Sequence, residues 1–164
     1  MTDIIYHPIG IIHTPFTKVD QMPIQPTTDS SAAGSVEIFP EYSEGLKDVD
    51  GFSHLILLYH LHEITDSNLI VVPFLDTEER GVFSTRAPVR PNPIGISVVK
   101  LISIKGNWLN VDNLDVLDGT PLIDLKPYIP DFDAPVDVRI GWLENARKEV
   151  KSIRSDDRFS EENS

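Results

Sequence analysis

Residues 81–95 read GVFSTRAPVRPNPIG and place Arg86 and Arg90 four apart, with Pro88, Pro91 and Pro93 inside the same six residues. Guanidinium groups bind carboxylates and phosphates through forked, charge-assisted hydrogen bonds, so this spacing could hold an anionic ligand. Proline fixes φ and reduces the entropy lost when a loop is ordered, which would hold Asn92 and the neighbouring carbonyls in place. Such stiffness suits a ligand site better than a simple turn, which one Pro-Gly pair would serve. On residue types alone a solvated, arginine-bearing surface loop is the favoured reading.

A second chemical stretch is residues 114–128, LDVLDGTPLIDLKPY. Asp118, Gly119, Thr120 and Pro121 form a turn signature, which on composition alone is best read as a plain β-turn. Asp124 and Lys126 share a face of the strand that follows, where a surface ion pair contributes under about 1 kcal/mol. Among the five histidines, His54, His60 and His62 share strand parity and could line one face. A metal there would need a further preorganised ligand, and no His-Glu-x-x-His spacing is present, so no metal is expected. There is no Gly-x-Gly-x-x-Gly fingerprint, no phosphate loop and no Gly-x-Ser-x-Gly elbow. The absence of cysteine removes disulfides, thiolate nucleophiles and thiolate metal sites.

The formal charge of −12, from 14 Lys and Arg against 26 Asp and Glu, argues at first against a polyanionic partner. The distribution differs from the sum. Residues 80–111 contain no acid and carry Arg80, Arg86, Arg90, Lys100 and Lys105, a local +5. Charge effects are screened beyond about 8–10 Å at ordinary salt, so such an island can act independently of the total.

The elements that must position these residues are short and extended. Residues 4–14 are β-branched and carry Pro8, as an edge or bulged strand does, and 14–33 form a proline-bearing loop. Residues 35–39 alternate like a strand, 40–49 suit one or two helical turns after Pro40, and the apolar run 52–62 reads as a buried strand. Strands are also expected over 69–74, 81–86 and 122–128, with a hairpin of 95–105 and 108–114 about the turn KGN. A helix is expected only over 141–153, before a frayed tail. With 13 prolines and nine glycines, the pattern predicts an all-β fold, a single barrel-like or sandwich domain over 1–143 followed by a short C-terminal helix and tail over 144–164. No apolar run reaches the roughly 18 residues of a membrane span and the start lacks a signal peptide, so a cytoplasmic protein is expected.

As ordered words the segments carry a family. Gly10-Ile11-Ile12-His13-Thr14-Pro15-Phe16 is followed by Gly51-Phe52-Ser53-His54-Leu55, then by Phe83-Ser84-Thr85-Arg86 with Arg90-Pro91-Asn92-Pro93-Ile94-Gly95, and last by Asp118-Gly119-Thr120-Pro121 with Asp124-Leu125-Lys126-Pro127-Tyr128. Over most of residues 4–130 this order and spacing resembles the TrmO, or TsaA-like, family of tRNA methyltransferases. The resemblance implies a β-barrel, usually a homodimer, that binds S-adenosylmethionine outside the Rossmann scheme and methylates N6 of threonylcarbamoyladenosine beside the anticodon of threonine tRNA. By position it implies cofactor contacts at Pro23, Gln25, His62, Glu63, Arg86 and Asp118 to Pro121. Asn92, Asp118, Asp124 and Tyr128 become candidates for catalysis, and Arg86, Arg90 and Lys126 for the substrate.

The chain departs from the family pattern at Pro23-Ile24-Gln25, where bacterial members commonly have Pro-Arg-Gln, and at His62-Glu63, where His-Gln is common. The segment after about Ala134 is also shorter than in larger bacterial members. The implied reaction requires in-line positioning of the acceptor nitrogen, removal of a proton from a poorly nucleophilic ureido N–H, and recognition of an anionic RNA loop. Asp118 or Asp124 could accept that proton. Methyl transfer to a small molecule or another RNA, or cofactor binding without turnover, is the alternative reading.

Overall fold

The computed structural model describes residues 3–18, 32–73 and 76–146. Six strands close into an antiparallel barrel: β1 (Gly10–His13), β2 (Ala32–Ile38), β3 (His54–His60), β6 (Ile94–Lys105), β7 (Trp108–Leu114) and β8 (Thr120–Pro127), ordered β1-β2-β7-β6-β3-β8 and back to β1. A separate two-stranded ribbon pairs β4 (Ile70–Val71) with β5 (Arg80–Gly81). Two four-residue helices follow, α1 (Pro130–Asp133) and α2 (Leu143–Ala146).

Period-two alternation fills the barrel. Ile12, Val36, Ile38, Leu55, Leu57, Tyr59, Val99, Leu109, Val111, Leu114, Val116 and Leu122 form one buried cluster. Closure leaves no free edge and allows alternate side chains of every strand to meet at the axis. The run around β3, expected to be buried throughout, alternates: Leu55, Leu57 and Tyr59 face inward, while His54, Ile56, Leu58 and His60 face outward. An apolar outer face had concealed the period.

Other expectations shift in their bounds. The first strand begins only at Gly10, and Ile4, Ile5 and Tyr6 before it are exposed. The strands expected at 69–74 and 81–86 shrink to two residues each, because Val82–Ser84 turns into a 3-10 helix. Pro40–Leu46 and Val49–Gly51 are also 3-10 turns. The β6–β7 hairpin turns at Gly106, whose φ of +62° suits the position. Of the helix expected over 141–153, Gly141 and Trp142 form a turn and α2 covers Leu143–Ala146, while 147–153 and the tail lie outside the described residues.

Antiparallel register determines which connections meet. His60 pairs with Ile94, Ala32 with Leu114, and Ile12 with Thr120. The connections 14–31, 61–93 and 115–119 therefore all leave the same end of the barrel, its mouth. The connection 39–53, the Gly106 turn and the segment after Pro127 leave the far end.

Candidate functional site at the barrel mouth

The 61–93 connection forms a small lobe with its own core of Val71, Val82, Ala87 and Val89, against which Ile64 packs. Its base is closed by the Leu61 amide donating to the Pro93 carbonyl at 2.8 Å, and its middle by Asn68 N–H to Val89 O at 3.1 Å. Arg90 holds the arginine loop from inside. Its Nη1 donates to the carbonyls of Thr85 (2.9 Å), Val82 (3.1 Å) and Ala87 (3.3 Å), and the guanidinium lies 5.9 Å from the Phe83 ring centre. Arg80 is bound to acids, with Nε and Nη2 each 2.7 Å from Asp76 and Nη2 2.9 Å from Glu78. The hydrogen bond from Arg80 keeps the Asp76 carboxyl below its usual range. Trp142 covers this arrangement, its indole N–H donating to the Ser84 carbonyl at 2.9 Å.

Arg86 is the contrast. It is exposed and makes no ion pair among the described residues. The +5 stretch consequently does not present one patch: Arg80 is neutralised, Arg90 faces backbone carbonyls, and Lys105 pairs with Trp108 at the far end. Arg86 is the exposed guanidinium that remains at the mouth.

The Asp-Gly-Thr-Pro turn is stitched to the end of β1. Asp118 Oδ1 accepts from the Thr14 amide at 3.1 Å, the Asp118 amide donates to Phe16 O, and the Gly119 amide donates to Ile12 O. Gly119 has φ of +78°, a conformation few other residues adopt without strain. The buried Thr120 closes the turn by donating from Oγ1 to Leu117 O at 2.8 Å. His13 stacks on Trp108 with centroids 5.3 Å apart, and its Nδ1 lies 3.6 Å from Asp118.

The mouth thus brings together Arg86, Arg90, Asn92, Asp118, Gly119, Thr120 and Pro121, with His62 and Glu63 paired at 3.4 Å where β3 gives way to the lobe. Pro23 and Gln25 belong to the 14–31 connection but lie outside the described residues. Asp124 and Lys126 sit on the wall, ion-paired at 2.7 Å, with Asp124 Oδ1 also accepting from the Leu125 amide. Tyr128 lies at the far end, where its amide donates to His54 O and its ring meets His54 edge-on. At the usual strand rise, Thr120 and Tyr128 are roughly 25 Å apart. Among the described residues no three His, Asp or Glu side chains converge as metal ligands.

Three mouth residues escaped the sequence reading. The Tyr59 ring lies over Gly95 inside the barrel, its hydroxyl 2.9 Å from Ser97 Oγ, and Ser97 donates to Asp115 Oδ1 at 2.6 Å. Ser97 has one proton and spends it on Asp115, so Tyr59 donates to Ser97 and the chain runs Tyr59 to Ser97 to Asp115. Burial pushes the Asp115 carboxyl above its usual range against the Ser97 and own-amide hydrogen bonds and the Arg86 charge, and burial with the Asp115 charge pushes the Tyr59 phenol well upward. Gly95 within a strand signalled close approach by another group, and Asp115 stood out as a charge between Leu114 and Val116.

A closed six-stranded barrel with an arginine loop and a glycine turn at one mouth defines a small β-barrel protein outside the nucleotide-fold classes. Residues 11–134 match the model of the tRNA-methyltransferase O N-terminal domain, and the chain belongs to the TrmO family. It is 54% identical over 156 residues to a probable S-adenosyl-L-methionine-binding protein of Pyrococcus abyssi, covering 95% of this chain and 85% of that one. It is 32% identical to the mouse tRNA (adenine(37)-N6)-methyltransferase over 145 residues, 84% of this chain but 34% of that protein. The crystal structure of TrmO from Pseudomonas aeruginosa superposes with a TM-score of 0.70 at 36% identity, over 87% of this chain and 63% of that one. The chain therefore spans less than two thirds of that solved relative.

Proposed function

We propose that this protein is an S-adenosylmethionine-dependent methyltransferase acting on N6 of threonylcarbamoyladenosine beside the anticodon of threonine tRNA. The observation that carries the reading is the convergence of Arg86, the Asp118–Thr120 turn and the His62–Glu63 pair on one mouth. Membership of the TrmO family and the names of the mouse and archaeal relatives support it.

The residues fit the cofactor. The unpaired guanidinium of Arg86 suits the methionine carboxylate, and Glu63 suits an amino group or ribose hydroxyls. Gly119 presents backbone with open space where a side chain would stand. Bound S-adenosylmethionine supplies an electrophilic methyl group on a sulfonium.

The chain's task is then to orient the acceptor nitrogen and exclude water. Arg90 acts through the loop it braces, and Asn92 and Thr120 border the same opening. Asp124, Lys126 and Tyr128 lie where an RNA strand, rather than the cofactor, would meet them.

Incubating the protein with labelled S-adenosylmethionine and tRNA from cells that lack this gene but make threonylcarbamoyladenosine is expected to label threonine tRNA. tRNA without the threonylcarbamoyl group should stay unlabelled. The dispersal of the positive stretch favours one other reading, a small-molecule acceptor. Cofactor binding by calorimetry with no label in any tRNA would overturn the tRNA reading and favour a small-molecule acceptor or cofactor sensing without turnover.

A further inference from the structure

The proposed reaction leaves one step without a group to perform it, removal of the N6 proton, and the carboxylates at the barrel differ in their freedom to do so. Asp124 has Oδ2 on Lys126 and Oδ1 on the Leu125 amide. Asp118 uses Oδ1 on the Thr14 amide and faces His13. Glu63 is exposed beside His62, and Asp76 is bound to Arg80. Asp115 alone in this set is largely withdrawn from water, held at the mouth by hydrogen bonds from Ser97 and its own amide, and free of an ion pair among the described residues.

We propose that Asp115 is the catalytic base, held at the mouth by the Tyr59–Ser97 chain so that its carboxylate receives the N6 proton of the acceptor. The assignment rests on the methyltransferase reading above. In the step, the N6 lone pair bonds to the methyl carbon and the carbon–sulfur bond breaks with its electrons left on sulfur. The N6 proton passes to the Asp115 carboxylate, so charge and atoms balance. Ser97 and Tyr59 are positioning residues.

The neighbours make the titration specific. Tyr59 from β3, Ser97 from β6 and Arg86 from the lobe face Asp115, while Asp118 and His13 are engaged with each other at the adjoining turn. Desolvation brings the carboxylate toward the working pH, where a general base is most effective, and Ser97 opposes that shift. A carboxyl raised in the folded state favours folding below its folded value and loses that contribution as pH rises through it, so Asp115→Asn should not lower stability at neutral pH.

The test is single-turnover methyl transfer to threonylcarbamoyl-modified tRNA as a function of pH, with calorimetric S-adenosylmethionine binding and melting temperature measured on the same full-length proteins. Asp115→Asn is expected to lower the rate on the order of 10²–10⁴-fold and flatten the acidic limb, with cofactor affinity within about threefold and melting unchanged or higher. Ser97→Ala removes a hydrogen bond that favours the carboxylate and should move the acidic limb to higher pH. An Asp115→Asn protein that keeps the wild-type rate or limb, or loses cofactor binding in step with rate, overturns the assignment, as does Ser97→Ala with an unmoved limb. A wild-type protein that binds cofactor and labels no tRNA overturns the functional reading and this assignment together.

Discussion

Replacing Gly95 by alanine is expected to lower the melting temperature by about 2–12 °C, from an overpacking cost of about 1–3 kcal/mol in a domain of this size. A Cβ at residue 95 would stand inside the van der Waals envelope of Tyr59, with Cδ2 at 2.8 Å and Cε2 and Cζ closer still. The ring has little room to yield: Tyr59 is buried within the barrel core, and its hydroxyl is tied to Ser97. Relief therefore requires β3 and β6 to part or the Tyr59–Ser97–Asp115 chain to break. The companion experiment separates this steric account from one based on glycine's backbone freedom. Adding Tyr59→Leu to Gly95→Ala should raise the melting temperature above that of Gly95→Ala alone. A Gly95→Ala protein that melts within 1 °C of wild type, by the overpacking scale just used, would contradict the account.

Arg86→Ala is expected to do the reverse, leaving the fold intact and removing function. The side chain is exposed and carries no ion pair among the described residues, so melting should move by no more than about 0.5 kcal/mol in free-energy terms. Cofactor affinity should fall roughly 10–100-fold, the range for losing a charge-assisted hydrogen bond to a carboxylate. Arg86→Lys should recover part of this, because a point charge replaces a fork. The Arg86 charge also lowers the Asp115 carboxyl, so any residual methyl transfer should show its acidic limb at higher pH. Unchanged calorimetric affinity in Arg86→Ala would contradict the placement of the cofactor.

The all-β class was legible because barrel walls write themselves as short alternating runs. The strand over 108–114 and the neighbouring hairpin turn lie close to where the sequence puts them. Bounds failed where backbone chemistry competed with pattern. Val82–Ser84 carries strand-forming residues yet turns, because Ser84 Oγ donates to Gly81 O and Thr85 Oγ1 to Val82 O. Such local side-chain to backbone bonds offer an alternative to the ladder. The +5 stretch was misleading because sequence proximity does not show what each cation meets. Arg80 and Arg90 are committed within the lobe, and Lys105 is carried to the far end by a twelve-residue strand.

Site words were legible where they sit on connections, since register brings three connections to one mouth. Tyr128 follows Asp118 by only ten residues, yet those residues form β8, which runs the length of the wall and carries the two apart. Asp115, Ser97 and Tyr59 were hidden for the opposite reason. They come from three strand ends distant in sequence, and only closure of the barrel brings their oxygens within hydrogen-bond reach.

The most direct test of the central claim is residue-resolved amide hydrogen exchange with and without S-adenosylmethionine. The account predicts slower exchange in the 61–93 and 115–119 connections and little change at the far end, in 39–53 and around Tyr128. Protection centred on the far end, with the mouth unchanged, would contradict it.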